Sequence, residues 1–294
     1  VAETSTSRPV VAGAPRLTQA QAELLREIPI VDEFGAQRVI HIPCERALTV
    51  FVDKRELISL MTLGAMPELL VLGYLRNQRL IERIEQVESV TVDWEVGAAA
   101  VRTHDGLHDF SARTARRVVT TGCGQGTVFG DVLTDLQGLS LPPAEAARID
   151  QAALYSLLAT MRQQDSLYRR AGSVHGCALF GGQELLMFVE DVGRHNAIDS
   201  LAGWMGLHGV AGDDKTIYTT GRLTSEMVMK AAQLRVPILV SRNGVTAMGH
   251  DLAGRLGMTL FGRAANRHFL CYTGADRFDA DPEPRRPTAR TAQP

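Results

Sequence analysis

Lysine is almost missing from this chain of 294 residues. Only Lys54, Lys215 and Lys230 occur, so 28 of the 31 basic residues are arginine, whose planar fork suits phosphate and carboxylate. Cysteine is scarce too: Cys44, Cys123, Cys177 and Cys271 are too few and too scattered for a disulfide framework, so a reducing cytoplasm is expected. No stretch approaches the roughly eighteen apolar residues of a membrane span, and VAETSTSRPVVAGAP lacks the regions of a signal peptide. A cytosolic protein without a membrane partner is therefore predicted. Charge of one sign is also missing: 31 Lys+Arg against 33 Asp+Glu leave a net charge of -2, which provides no global field for nucleic acid and permits only local anion sites. Hydrophobic residues at 45% and charged residues at 22% make a globular composition, excluding disorder and collagen.

The chain divides into two unequal parts between mobile ends. Residues 1–27 are rich in Ser, Thr, Ala and Pro, and the tail 276–294 mixes Pro with charge. A small α+β domain is predicted over 28–115. In it, ALTVFV and ELISL flank Asp53-Lys54 as a hairpin, MPELLVLGYLRNQRL follows as a helix with Pro67 near its start, and SVTVDWEV and AAAVRT form another strand pair. The larger part, 116–275, opens on the strand RRVVTT and a glycine-rich loop. A long helix from about Pro143 to Arg170 is predicted next, with Ile149, Ala153, Leu157 and Met161 along one face. HGCALF and ELLMFVE then pair as a hairpin around Gly181 and Gly182. KTIYTT, SEMVMKAAQLR, VPILVS, TAMGHDLAGRLG and MTLFGR alternate strand and helix, the pattern of parallel strands with right-handed crossovers. The fold class is α/β: a mixed, mostly parallel sheet with helices on both faces, plus the small N-terminal domain.

Loops that follow parallel strands share one edge of the sheet, where ligands gather. That edge collects 220–225 (TGRLTS), 241–246 (SRNGVT) and 261–267 (FGRAANR), and each carries a glycine and an arginine. Thr224, Ser225 and Thr246 are suited to cap the two helices that follow, and free amides at a helix start with a nearby arginine favour phosphate. A phosphorylated ligand of nucleotide type is inferred; the bland reading is turns, caps and solvated arginines. No Walker pattern and no G-x-G-x-x-G opening a helix is present, which removes support for ordinary NTPase or dinucleotide chemistry.

In TTGCGQGT, three glycines within five positions leave the sulfur of Cys123 open to approach and the amides free to point at it, which suits a nucleophile or a sulfur carrier. Cys177 in HGCALF and Cys271 in HFLCY read as buried and inert, while Cys44 is unassigned. His175-Gly176-Cys177 is the one candidate metal pair. Without C-x-x-C or the zinc-deaminase signature, no structural metal is expected. EDVGRHNAID (190–199) holds more polar groups than capping needs. Glu190 and Asp191 have two readings: they accept from Arg194 or from helix amides, or they orient a ligand or partner.

EDVGRHNAID, TTGRLTSEMVMKAAQLRVPILVSRNGVT and LAGRLGMTLFGRAANRHFLCY, in that sequence along the chain, resemble the FdhD family, the formate dehydrogenase accessory sulfurtransferases. The resemblance runs from about Ile42 to Tyr272. It implies a cytidine-deaminase-like fold in the large domain and a homodimer. It also implies a sulfurtransferase that takes sulfur from a cysteine desulfurase as a persulfide. The sulfur then passes to a molybdenum or tungsten bis-guanylyl pterin cofactor, held as bound substrate, before insertion into formate dehydrogenase. By motif, Cys123 matches the persulfide cysteine, and Phe261, Gly262, Arg263, Ala264, Ala265 and Asn266 match the segment that contacts the cofactor; Arg222 and Arg242 would add donors for its guanine nucleotide pyrophosphates.

Two departures stand out. Gly126 replaces the second cysteine of a frequent C-G-x-C motif, so one thiol must suffice, and Asp199-Ser200 replaces a frequent Asp-Lys. Two other readings compete: a cofactor-binding chaperone for the apoenzyme in which Cys123 is incidental, and a cysteine-dependent or deaminase-like hydrolase acting on a nucleotide.

Overall fold

The computed structural model describes residues 8–106, 118–119, 126–127 and 139–281. Alternating burial builds the first unit. Strands β1 (Arg16–Leu17), β2 (Leu25–Val31), β3 (Gln37–Pro43), β4 (Arg46–Val52) and β5 (Arg55–Thr62) precede helix α1 (Pro67–Asn77), and β6 (Val87–Asp93) and β7 (Ala98–Thr103) follow it. Five of the strands form one sheet in the sequence β1-β6-β7-β4-β5, while β2 and β3 make a separate ribbon. Asp53 and Lys54, at φ +47° and +70°, provide the left-handed pair that a tight hairpin turn between β4 and β5 requires. Within the stretch 1–27 that composition marks as mobile, described residues make ordered contacts. Arg16–Leu17 pair in parallel with β6, the Val11 amide donates to the Leu207 carbonyl at 2.9 Å, and Thr18 is bonded to β6 through both Val90 and Val92.

The short strands β8 (Val118–Val119) and β9 (Gly126–Thr127) pair with each other. Beyond them come β10 (Ile149–Asp150), α2 (Gln151–Gln163), α3 (Leu167–Ala171), β11 (His175–Gly181), β12 (Glu184–Asp191) and α4 (Arg194–Leu207). The single helix predicted from Pro143 to Arg170 is therefore three pieces. Ile149–Asp150 pair with a strand near the C-terminus, the Asp150 carboxylate caps α2 by accepting from the Ala153 amide at 2.6 Å, and Ser166 caps α3 afresh. Two capping residues inside the periodic stretch set these boundaries.

The remaining elements are β13 (Lys215–Thr219), α5 (Ser225–Gln233), β14 (Ile238–Ser241), α6 (Ala247–Leu256), β15 (Thr259–Ala265), β16 (His268–Thr273) and β17 (Phe278–Asp279), the partner of β10. The large sheet runs β12-β11-β13-β14-β15-β16, with β13, β14 and β15 parallel and antiparallel pairs at both sides, so it is mixed as expected but not mostly parallel: the β11–β12 and β15–β16 hairpins and the β11–β13 pairing make three of its five pairings antiparallel. Its two faces bury separate cores. Leu179, Ile217, Leu239 and Leu260 face α4, α5 and α6, whereas Ala178, Phe180, Tyr218 and Val240 face α2. Helices thus cover both faces, as the alternation predicted.

Two features lie outside the sequence reading. Arg277, assigned by composition to a tail with little to bury, is 3% exposed, and its guanidinium donates to the carbonyls of Pro142, Pro143 and Gly257. The other joins the two units: α1 packs on α4 through facing glycines. A methyl on Gly73 would collide with the Asp199 carbonyl and one on Gly203 with the Leu69 carbonyl, so only glycine permits this backbone-to-backbone approach.

Candidate functional site

The three predicted loops meet at one edge of the large sheet, stitched by backbone and side-chain bonds. The Arg242 amide donates to the Thr219 carbonyl at 3.2 Å, the Asn243 side chain to the Thr220 carbonyl at 2.7 Å, and the Arg263 amide to the Asn243 carbonyl at 2.8 Å. Leu223 and Thr246 tie the first two loops once more, through Gly244 and Leu223 carbonyls. Arg222, Arg242 and Arg263 project from this rim as exposed side chains, and Arg242 lies over the Tyr168 ring at 5.8 Å. Thr246 caps α6 as expected. Thr224 stands at the N-cap of α5 without making a capping bond, and its hydroxyl has no partner.

The third loop differs from its prediction. Phe261–Ala265 belong to β15 itself, which turns directly into β16, so this segment is the end of a hairpin rather than a loop after the last strand. Phe261 and Ala264 are 0% and 1% exposed and pack in the α2-side core, so neither side chain reaches a ligand at the rim. Gly262 lies under the Tyr272 ring. Ala265 and Asn266 are exposed, with Arg263 and Asn266 in the left-handed region at φ +51° and +55°. Asn266 joins Arg267, Arg162 and Tyr155 along a cleft of about 1230 Å³ beside α2, where Arg267 sits 5.8 Å from the Tyr155 ring centre.

Cys123 lies outside the described residues. Cys177 is fully buried against Thr219, and burial pushes its thiol up to about 12, which fits the inert role read from its strand. The other inert assignment needs correction. Cys271 is exposed, because β16 is an edge strand with one uncovered face; partial desolvation still raises its thiol. Among the described residues no three His, Cys, Asp or Glu side chains gather as metal ligands, and no helix is long and apolar enough to cross a membrane.

EDVGRHNAID becomes the junction between β12 and α4, and Glu190 and Asp191 accept from backbone amides, not from Arg194. Glu190 accepts from the Leu167 and Tyr168 amides at the start of α3, at 2.6 and 3.1 Å. Asp191 accepts from Thr62, from the Leu63 and Gly193 amides and from Asn196, which fastens the junction to β5. Burial raises both carboxyls. Asp199 is 0% exposed and accepts from Lys230 at 2.7 and 2.8 Å and from Asn77 at 2.6 Å, with burial again raising its carboxyl.

His175, read from the sequence only as half of a candidate metal pair, clusters at the same end with His195 and Lys230. His175 shares Thr220 with the rim, its Nδ1 3.4 Å from the hydroxyl; burial lowers its pKa, and Arg194 and Arg222 lower it further. His195 Nε2 is 3.1 Å from Glu226 without hydrogen-bond geometry. Burial, with Lys230, Arg194 and His175 adding to it, pushes this imidazole down to about 2. It stays neutral in the fold while an unfolded chain takes up a proton below about 6.5, so its contribution is present above that pH and is lost as pH falls toward 2. Wild type should accordingly lose about 1.4 kcal/mol more stability per pH unit between pH 6 and 4.5 than His195→Gln. Parallel urea slopes in that window, by circular dichroism, would remove His195 as the source. Lys230 had a readable signal: in SEMVMKAAQL it shares the helix face of Met227, Ala231 and Leu234, all buried, and a lysine on an apolar face implies an internal partner.

Comparison with known proteins adds three findings. The FdhD/NarQ family matches residues 43–279. Proteins named sulfur carrier protein FdhD from Bacillus subtilis (strain 168) and Bacillus licheniformis are 32% and 31% identical, each over 79% of this chain and 88% of their own length. A crystal structure from Desulfotalea psychrophila, described as a candidate formate dehydrogenase accessory protein, has a TM-score of 0.71 and 24% identity, covering 87% of this chain and 100% of its own; at that identity it shows the fold.

Proposed function

The chain belongs to the FdhD/NarQ family, and from that premise we propose that it is a sulfur carrier with Cys123 as the loading residue. The proposed donor is a cysteine desulfurase, the proposed acceptor a molybdenum or tungsten bis-guanylyl pterin cofactor bound as substrate, and the client formate dehydrogenase. The observation that carries the reading is the rim, where hydrogen-bonded loops present Arg222, Arg242 and Arg263 together to an anionic cargo.

Loading is thiol–disulfide exchange in form. The Cys123 thiolate attacks the outer sulfur of the desulfurase persulfide, a new S–S bond forms, the old one breaks, and the desulfurase cysteine leaves as thiolate with no net change in electrons. In delivery the Cys123 S–S bond breaks and the outer sulfur becomes sulfide on the metal. Cys123 returns to thiolate, and the metal ion of the cargo gives up two electrons. Cys177 does not compete for the sulfur, since a buried thiol pushed up to about 12 is protonated at neutral pH.

Incubation of the protein with an active desulfurase and cysteine should add one sulfur atom by intact mass spectrometry to wild type and none to Cys123→Ala. An unmodified wild type beside a working desulfurase, or equal loading of the variant, would overturn the assignment.

A further inference from the structure

The ribbon of β2 and β3 carries backbone that nothing pairs. It belongs to neither of the two larger sheets, and among the described residues no strand lies beside either of its edges. A two-stranded ribbon on its own is marginal in water, yet this one is held in shape. At its tip the Asp32 carboxylate accepts from the Phe34 and Ala36 amides at 3.0 Å each and pairs with Arg38 at 3.2 Å. Apolar surface stays open along it: Val31 and Val39 are 66% and 65% exposed, and Phe34 is 87% exposed.

Register fixes which main-chain groups point away from the ribbon. The Cys44 amide donates to the Leu24 carbonyl at 2.9 Å and the Asp32 amide to the Ala36 carbonyl at 3.0 Å, at opposite ends of the ladder. Hydrogen-bonded pairs alternate between them, so Glu27 with His41, Pro29 with Val39 and Val31 with Gln37 turn their N–H and C=O groups outward. Pro29 therefore blunts the middle of the β2 edge, having no N–H to offer. The β3 edge has no such block before Pro43: Gln37, Val39 and His41 present donors and acceptors in a row, and all three are exposed. Helix α3 packs against β3, but burial rises only at Ile42 and Pro43, the foot of the strand. One edge is blunted and the other is left as a template for a further strand.

We propose that the β3 edge docks an extended, apolar segment of another polypeptide, which pairs with Gln37, Val39 and His41 as the third strand of the ribbon. Side chains narrow its chemistry. The strand QRVIHIP carries Arg38 and no acid. A segment laid antiparallel along it meets Val39 on one face and Arg38 and Ile40 on the other, so cross-strand matching selects apolar residues opposite Val39 and Ile40 and an acid opposite Arg38. Main-chain bonds supply the affinity and these alternate positions the selectivity. The inference goes beyond the carrier reading and does not rest on it.

Titration of the isotope-labelled full chain with the end-blocked peptide Thr-Val-Val-Glu-Thr, followed by amide NMR, tests this. The Gln37, Val39 and His41 amides should shift, and at saturation their hydrogen exchange should slow at least about tenfold. The peptide Thr-Val-Pro-Glu-Thr lacks the N–H that meets the Val39 carbonyl and should not bind. Val39→Pro removes only an outward N–H, as Pro29 already does across the ladder, so the ribbon should persist while affinity for the first peptide falls at least about tenfold. The pair of peptides keeps the test decisive if Val39→Pro fails to fold. Equal binding of both peptides, undiminished binding by Val39→Pro, or a wild type whose three amides do not respond would overturn the site. Sedimentation without peptide checks the other occupant: an assembly that is smaller in Val39→Pro than in wild type would mean that a second copy fills the edge, and would overturn docking of another polypeptide. Sulfur loading on Cys123 is a separate readout, since a wild type that binds the peptide and never loads keeps this site and removes the carrier.

Discussion

Cys123→Ala is expected to leave formate dehydrogenase activity at the level of the deletion strain when the variant replaces the intact chain in cells. The loss should be complete, because neither Cys177 nor Cys271 is suited to take over. Cys177 is 0% exposed with its thiol pushed up to about 12, so it is neither reachable nor ionised. Cys271 is reachable, but desolvation keeps its thiol above the ordinary value. The position that often supplies a second cysteine is Gly126 here, so no neighbour can rescue the sulfur by forming a disulfide. A chaperone that merely holds cofactor or apoenzyme predicts the opposite ranking. Cys123→Ala would then complement fully, and Arg263→Ala, which removes a rim cation, would not. Immunoblots of the complemented strains make the comparison fair by fixing protein amount.

Lys230→Ala should cost about 3–5 kcal/mol of folding stability at pH 7, read from urea denaturation. Its ammonium holds both oxygens of Asp199, the carboxylate is 0% exposed, and among the described residues only Asn77 remains as partner once the lysine is gone. The cost is that of a buried charge left unpaired. The pair itself contributes far less against apolar residues of similar shape, so Asp199→Asn combined with Lys230→Met should recover much of the loss. A single variant within 1 kcal/mol of wild type would mean that water reaches Asp199. The lysine expected at position 200 from related sequences is replaced by Ser200, but the acid before it still finds a lysine, from α5.

Where a segment's own pattern decided its structure, the sequence was readable. The Asp53-Lys54 turn, the hairpin at Gly181 and Gly182, and the alternation from Lys215 to Gly262 each depend on turn chemistry and hydrophobic period, and these elements occur where predicted. What distant partners decided was not readable. Ile149–Asp150 leave the helical pattern because β17 pairs with them, and Arg277 is buried because Pro142, Pro143 and Gly257 offer carbonyls. Arg16–Leu17 are fixed by β6 despite their loose composition. At the candidate site the same division holds. The gathering of three arginine loops followed from parallel topology, whereas the burial of Phe261 and Ala264 depended on the β15–β16 hairpin. Among the described residues Arg194 Nε finds no partner, because Glu190 and Asp191 accept from amides elsewhere.

The glycine contact between α1 and α4 has a mechanical meaning. Helix α4 begins at Arg194 and about two and a half turns later presses its backbone against α1 at Gly203 and Gly73. Main chain against main chain leaves no flexible side chain to absorb a displacement, so the helix acts as a strut running from the five-stranded sheet to the arginine at its tip.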